Sequence, residues 1–229
     1  MVRMAAEHGT TDIVATPHAS PAYKFDPEKN RDRLALIEDA AGGVLRLHTG
    51  CDFHLSFDNI QDAIEHPNKY TIDNKSYLLV EFSEMLAFHN TAEIFERLLD
   101  AGMVPVITHP ERNGLLRQRI EPMSEWISKG ARVQVTAQSL TGRFGKRAEA
   151  FSRELLNRGM VHVIASDGHD IEHRPPCMDE AFEWLKTNYS EETAKLLCVT
   201  NPAAGLASQP MQKPSTEARV ARGKWFKFW

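Results

Sequence analysis

Apolar residues in this chain follow two alternating rhythms. One is the short apolar, β-branched run: residues 11–16, 44–50, 77–82, 103–108, 131–137 and 161–166 each read as a strand. The other is helical spacing. Val2, Ala5 and Ala6 share one side of residues 1–8, and Leu34, Ile37 and Ala41 make a stripe on a helix opened by Asp26-Pro27 and stopped by Gly42-Gly43. Ile94, Phe95, Leu98 and Leu99 mark a helix over 92–101 with Thr91 as its expected cap; Trp126 and Ile127 mark the next, and Phe151, Leu155 and Leu156 mark one over 145–158. Further helices are predicted at 58–65, 178–188 and 190–197, a small hairpin at 69–77 around Asp73-Asn74-Lys75, and a last turn opened by Asn201-Pro202. Glycine punctuates the change of rhythm at Gly9, Gly102, Gly130 and Gly159, because it supplies the left-handed residue that stops a helix. Helices alternating with strands predict βαβ units and a parallel sheet, hence an α/β fold.

The ends of these strands carry the chemistry. Val163 to Ser166 runs into Asp167-Gly168-His169, where a carboxylate and an imidazole two residues apart share one turn. Strand 103–108 runs into His109-Pro110-Glu111-Arg112, and strand 11–16 into Pro17-His18. A fourth copy, Gly130 into 131–137, ends without a ligand type. Functional side chains at successive C-terminal strand ends are the arrangement of a β/α barrel. Asp52 occupies the equivalent place after 44–50, so Cys51 and Phe53 should pack away from it; His54 reads as a surface histidine more readily than as a supporting group. Glu81 interrupts a run that should be wholly buried and therefore needs a cation, either Arg, Lys or a metal. Arg112 and Arg174, the latter fixed ahead of Pro175-Pro176, suit a phosphate, which guanidinium groups grip with paired hydrogen bonds; either can instead bridge a surface carboxylate.

Composition narrows the class. At 229 residues the chain suits one large domain, a little short of a typical β/α barrel. A net charge of −4 creates no field for nucleic acid, and no run is long enough to span a bilayer or shaped like a signal peptide. Three widely spaced cysteines, Cys51, Cys177 and Cys198, point to a reducing compartment and the cytoplasm. None begins a Cys-x₅-Arg motif, since the sixth residues on are Phe57, Glu183 and Ala204, which excludes a cysteine-dependent tyrosine phosphatase.

Ile13 to His18, Leu78 to Ser83, Val106 to Arg112, Val163 to His169 and Arg174-Pro-Pro176 together resemble the polymerase and histidinol phosphatase superfamily. The nearest resemblance is to its tyrosine-protein phosphatases from bacterial capsule and exopolysaccharide clusters, over about residues 1–205. It implies a distorted seven-stranded, TIM-like β/α barrel with a site for several divalent ions, manganese in the first place, with iron or zinc as alternatives. By motif His18, Asp52, Glu81, His109, Asp167 and His169 are the implied metal ligands, and Arg112 and Arg174 the implied phosphate clamp. The implied substrate is a phosphotyrosine protein, a bacterial tyrosine kinase; a sugar or histidinol phosphate, or a catalytically inactive binding module, are the alternatives. Two departures stand out: Asp52 where the capsule enzymes usually carry Glu, and no first strand with His-x-His, so that the chain is expected to begin one βα unit late and to bind metal incompletely. The catalytic domain is expected to span 1–207. Residues 208–229 are expected to form a flexible tail whose basic and aromatic end, Arg222 to Trp229, suits docking on a partner or a membrane surface.

Overall fold

The computed structural model describes all residues except Pro21, 84–89 and 214–229. Helix α1 (Val2–Glu7) leads into β1 (Asp12–Ala15), and after Pro17 the chain resumes as β2 (His18–Ala19). Helix α2 (Pro27–Ala41) precedes a second broken pair, β3 (Arg46–Thr49) and β4 (Asp52–His54). From there strands and helices alternate as α3 (Phe57–Glu65), β5 (Tyr77–Glu81), α4 (Thr91–Asp100), β6 (Val104–Thr108), α5 (Ile120–Ser128) and β7 (Arg132–Thr136). Helices α6 (Ala137–Leu140) and α7 (Lys146–Asn157) then lead to β8 (Val163–Ala165). All pairings between strands are parallel: β1 with β3, and a six-stranded run in the order β2-β4-β5-β6-β7-β8.

Each predicted strand is present, and the first two are longer and bent. Pro17 has no N–H to give a ladder, so β1 stops and β2 starts beyond it, while the Pro17 carbonyl accepts the Asp52 N–H at 3.1 Å and carries the pairing from β1–β3 over to β2–β4. The neighbouring strand bends at Gly50, where a Cβ would lie 2.6 Å from Val14 Cγ1. Among the described residues the outer edges of β1 and β8 have no strand partner, so the barrel is an arc. Yet Val14 of β1 packs in one apolar cluster with Leu79, Val106, Val163 and Ala165, so the arc curls around an interior. The larger cluster lies outside the strands, under the helices, with Phe82 stacked on Trp126 at 5.7 Å and Phe95 edge-on to both.

Four expectations need correction. The stripe on α2 is not buried: Leu34 and Ala41 are half-buried and Ile37 is exposed, because a groove of about 210 Å³ separates the helix from the β1–β3 pair. Residues 69–77 form no hairpin. A 3₁₀ turn, Ile72–Asn74, places Asp73 so that its carboxylate accepts the Thr49 N–H at 3.0 Å and meets His48 Nδ1 at 2.8 Å, and these side-chain bonds replace strand pairing. Thr91 is the first helical residue, and Asn90 takes the cap position. Finally, the boundary at 207 falls inside a packed segment. After α8 (Asp179–Asn188), α9 (Glu191–Lys195), a wider turn over Leu196–Thr200 and α10 (Asn201–Leu206), the chain returns to the foot of the barrel. Ser208 Oγ accepts the Ser76 N–H at 3.2 Å, Gln209 O accepts from Tyr77 Oη at 2.8 Å, and Met211 is buried in the interior cluster. Asn201 ties Gln212 to β8 by bonding its carbonyl, its N–H and the His162 carbonyl. The rest of the expected tail, with its basic aromatic end, lies outside the described residues.

Candidate metal centre

Period-two alternation and register build one wall of the site. His18 is the register partner of Asp52, and His54 that of Glu81, so four ligand types from β2, β4 and β5 face the mouth of the barrel. Cys51 and Phe53, between them in sequence, are fully buried on the opposite side, as alternation requires. One ligand atom from each of His18, Asp52 and Glu81 lies within 4.8 Å of the others. His18 Nδ1 is 2.9 Å from Asp52 Oδ2 and 3.7 Å from Glu81 Oε2, and His109 Nε2 is 3.7 Å from Glu81 Oε1. Glu81 is not wholly buried: its side chain is 26% exposed because β5 ends there and the carboxylate opens onto the mouth.

The other wall comes from strand ends. His109 follows β6 with φ 35°, and Asp167 follows β8 with φ 49°, both in the left-handed region that costs a residue with a Cβ. The loop carrying His109 is held from behind. Buried Glu111 accepts the Thr136 N–H at 3.0 Å and the Ser139 hydroxyl at 2.7 Å, while Asn113 donates to the Phe82 and Ser83 carbonyls. Asp167 meets both Arg112 and Arg174. Arg174 is placed by a turn in which Asp170 Oδ1 accepts the N–H groups of Glu172, His173 and Arg174. The Nδ1–H of His169 donates to the Asp167 carbonyl at 2.9 Å, which leaves Nε2 with its lone pair. His169 adjoins Asp167, its Nδ1 standing 3.8 Å from Asp167 Oδ1.

Electrostatics set this cluster apart. Burial, followed by the charges of Glu81 and Asp167, pushes the Asp52 carboxyl up to about 8, and its buried Oδ1 has no hydrogen-bond partner among the described residues. Burial and then the Arg112 charge hold His109 below the ordinary histidine range, so it presents a neutral imidazole. Two acids and imidazole lone pairs converging with one carboxylate oxygen unsatisfied fit a divalent cation, and the oxygen and nitrogen donors without thiolate suit Mn, Fe or Zn. His18, Asp52, Glu81 and His109 would hold it, with Asp167 beside them. The thiols do not compete: burial raises the pKa of Cys51, and raises that of Cys198 to about 12.

Of the expected ligands, His18, Asp52 and Glu81 gather within 4.8 Å, His109 approaches Glu81 at 3.7 Å, and Asp167 and His169 stand with the arginine pair. Two further residues adjoin the cluster: His54, which the sequence read more readily as a surface histidine, and Phe144, which it did not single out. His54 Nδ1 lies 3.8 Å from Glu81 Oε2, and its place two residues after Asp52 already put it on the same face. Phe144, between α6 and α7, lies under both guanidiniums, with Arg112 Cζ 4.4 Å and Arg174 Cζ 5.7 Å from the ring centre. No local pattern announces it.

A parallel β/α sheet whose strand ends gather histidines and carboxylates beside an arginine pair defines a metal-site protein suited to an anionic ligand. The chain belongs to the family described as capsular polysaccharide synthesis, CpsB/CapC, whose model matches residues 1–207. It is 31% identical to a putative tyrosine-protein phosphatase, CapC of Staphylococcus aureus, over 99% of this chain and 89% of that protein. It is 29% identical to the tyrosine-protein phosphatase YwqE of Bacillus subtilis (strain 168), over 86% of this chain and 79% of that one. A solved structure from work on YwqE and on CpsB of Streptococcus pneumoniae, described as unique metal-dependent tyrosine phosphatases, superposes with a TM-score of 0.85. That match has 29% identity and covers 93% of this chain and 87% of the other.

Proposed function

We propose that this chain is a metal-dependent protein-tyrosine phosphatase that uses manganese and acts on a phosphotyrosine of a bacterial tyrosine kinase controlling capsule or exopolysaccharide synthesis. The observation that carries the reading is the convergence of His18, Asp52 and Glu81 within 4.8 Å, next to an arginine pair that meets at Asp167. The names of the relatives support the reaction class. Free cysteines among the described residues support a cytoplasmic setting, and no helix among those residues is long and apolar enough to cross a membrane.

His18, Asp52, Glu81, His109, Asp167 and His169 are the proposed ligands, and His54 supports Glu81. When bound, divalent ions supply Lewis acidity and make water a nucleophile near neutral pH. The protein's own groups do the rest. Arg112 and Arg174 bind and orient the phosphoryl oxygens with fork-shaped donors and offset the negative charge that grows during displacement. His109, kept neutral, offers a lone pair without needing to lose a proton first. Glu111 fixes the loop that carries both His109 and Arg112.

The test is Asp167→Ala and His109→Ala, with metal content and turnover of a phosphotyrosine peptide measured together. Both should lose metal and activity and keep the fold; unchanged activity in either overturns the assignment. Arg112→Lys and Arg174→Lys should lower turnover with metal stoichiometry intact, because Lys lacks the planar fork.

A further inference from the structure

Phe144 is held as firmly as the clamp it touches. Its turn between α6 and α7 is closed by Arg143 N–H to Gln138 O at 3.0 Å and Gly145 N–H to Gly142 O at 2.9 Å. Gly142 and Gly145 stand on either side with φ of 83° and 87°, conformations that a residue with a Cβ resists. The ring between them is half-buried, so part of its surface faces solvent. Its face lies under Arg112 and, farther off, Arg174, whose side chains keep 25% and 23% of their surface open.

A guanidinium over a ring carries its N–H donors around its own rim: Arg112 Nη1 and Arg174 Nη2 give theirs to the Asp167 carboxylate, while the buried Arg174 Nε has no hydrogen-bond partner among the described residues, so donors remain that an anion can share or take up. An anion gripped there has the border of the Phe144 ring as its neighbour. Whatever group the phosphorus carries on that side meets a flat apolar wall. An aryl group gains edge or offset contact with it, whereas a short alkyl group offers too little area.

We propose that Phe144 is a specificity-determining residue that contacts the aryl group of an aryl phosphate, so that the arginine pair and the ring together select aryl over alkyl phosphoesters. This rests on the arginines being the phosphate clamp, and it names the substrate side of the same site. Aliphatic side chains at 144 would keep the bulk and lose both the flat face and the attraction for the guanidiniums.

The test uses ligands that are not hydrolysed. Affinities of phenylphosphonate, methylphosphonate and inorganic phosphate for the manganese-loaded full chain are measured by calorimetry, for the wild type and for Phe144→Leu, Phe144→Met and Phe144→Tyr. Melting temperature and metal content confirm that each variant is folded and loaded. The wild type should prefer phenylphosphonate to methylphosphonate by roughly three- to tenfold, the range aromatic contacts supply. Leu and Met should each remove most of that preference, and Tyr should keep it. A preference that survives in Leu or Met, or a wild type that binds phenylphosphonate no better than methylphosphonate, overturns the proposal. So does an equal fall for all three ligands, which would make the ring only a support for the arginines. Because no turnover is needed, an aryl preference in a protein that hydrolyses no phosphoester would refute the phosphatase reading while leaving this one standing.

Discussion

The barrel carries a cluster of histidine and carboxylates at each end, built from the same residue types and opposite in character. At the foot, where the strands begin, Asp12 accepts two bonds from Arg46 at 2.7 Å, one from Thr11 at 2.7 Å and meets His48 at 3.0 Å. Burial alone would lift its pKa, but the bonds from Arg46, His48 and Thr11 outweigh that and bring it down to about 2. At the mouth, burial and the charges of Glu81 and Asp167 drive Asp52 up to about 8, with one oxygen unpaired. A cluster whose charges are answered by the protein contributes to folding. One whose charges are left unanswered destabilises the fold, and it persists where a cation from outside completes it.

The comparison breaks most visibly on activity. Glu81→Ala at the mouth should remove metal and lower phosphotyrosine-peptide turnover at least about a hundredfold, while Asp12→Asn at the foot should leave both within about twofold. Loss of metal in the Asp12 variant would show that the foot is no mere structural network.

Next in size is the segment that closes the foot. Ending the chain after Leu206 exposes the cavity under Met211 and strips partners from Asn201 and Tyr77, so urea unfolding should show about 3 kcal/mol less stability. A loss below about 1 kcal/mol would make residues 207–213 a passive tail.

The two aspartates should then respond with opposite signs. Asp12 is held below its ordinary pKa, so its contribution is present above about pH 4 and disappears as pH falls toward 2. Asp12→Asn should therefore cost roughly 1–2 kcal/mol at pH 7, a figure reduced for solvent screening, and the gap from wild type should close on acidification. Asp52 is held above its ordinary pKa. The folded state keeps a proton there that the unfolded chain has released, and metal-free protein should lose stability as pH rises from about 4 to 8. Asp52→Asn, stripped of metal, should be more stable than wild type at pH 8 by about 1 kcal/mol, the smallest of these effects. A less stable variant there would mean that the mouth is as well answered as the foot.

Much of the candidate site was legible because a strand end is a local event. Apolar runs stopping at Pro17-His18, His109-Pro110 and Asp167-Gly168 marked three candidate positions at the mouth, and alternation about Asp52 correctly sent Cys51 and Phe53 inward. The same alternation applied two residues on would have turned His54 toward Glu81; general exposure of histidine was the weaker guide. The stripe on α2 misled because periodicity states which residues share a side and says nothing of whether another element comes to cover it.

By itself the sequence determined the order of helices and strands, the positions where strands stop, and the kinds of side chain that stand there, since all of these depend on neighbours within a few residues. Only the tertiary structure decided that His18 lies beside Asp52, that Asp167 meets two arginines from different loops, that Phe144 lies beneath them, and that residues 208–212 close the foot. Those facts rest on strand register and on contacts between segments far apart in the chain. No local pattern encodes them, because the hydrogen bonds and buried surfaces that fix them exist only once the sheet has curled.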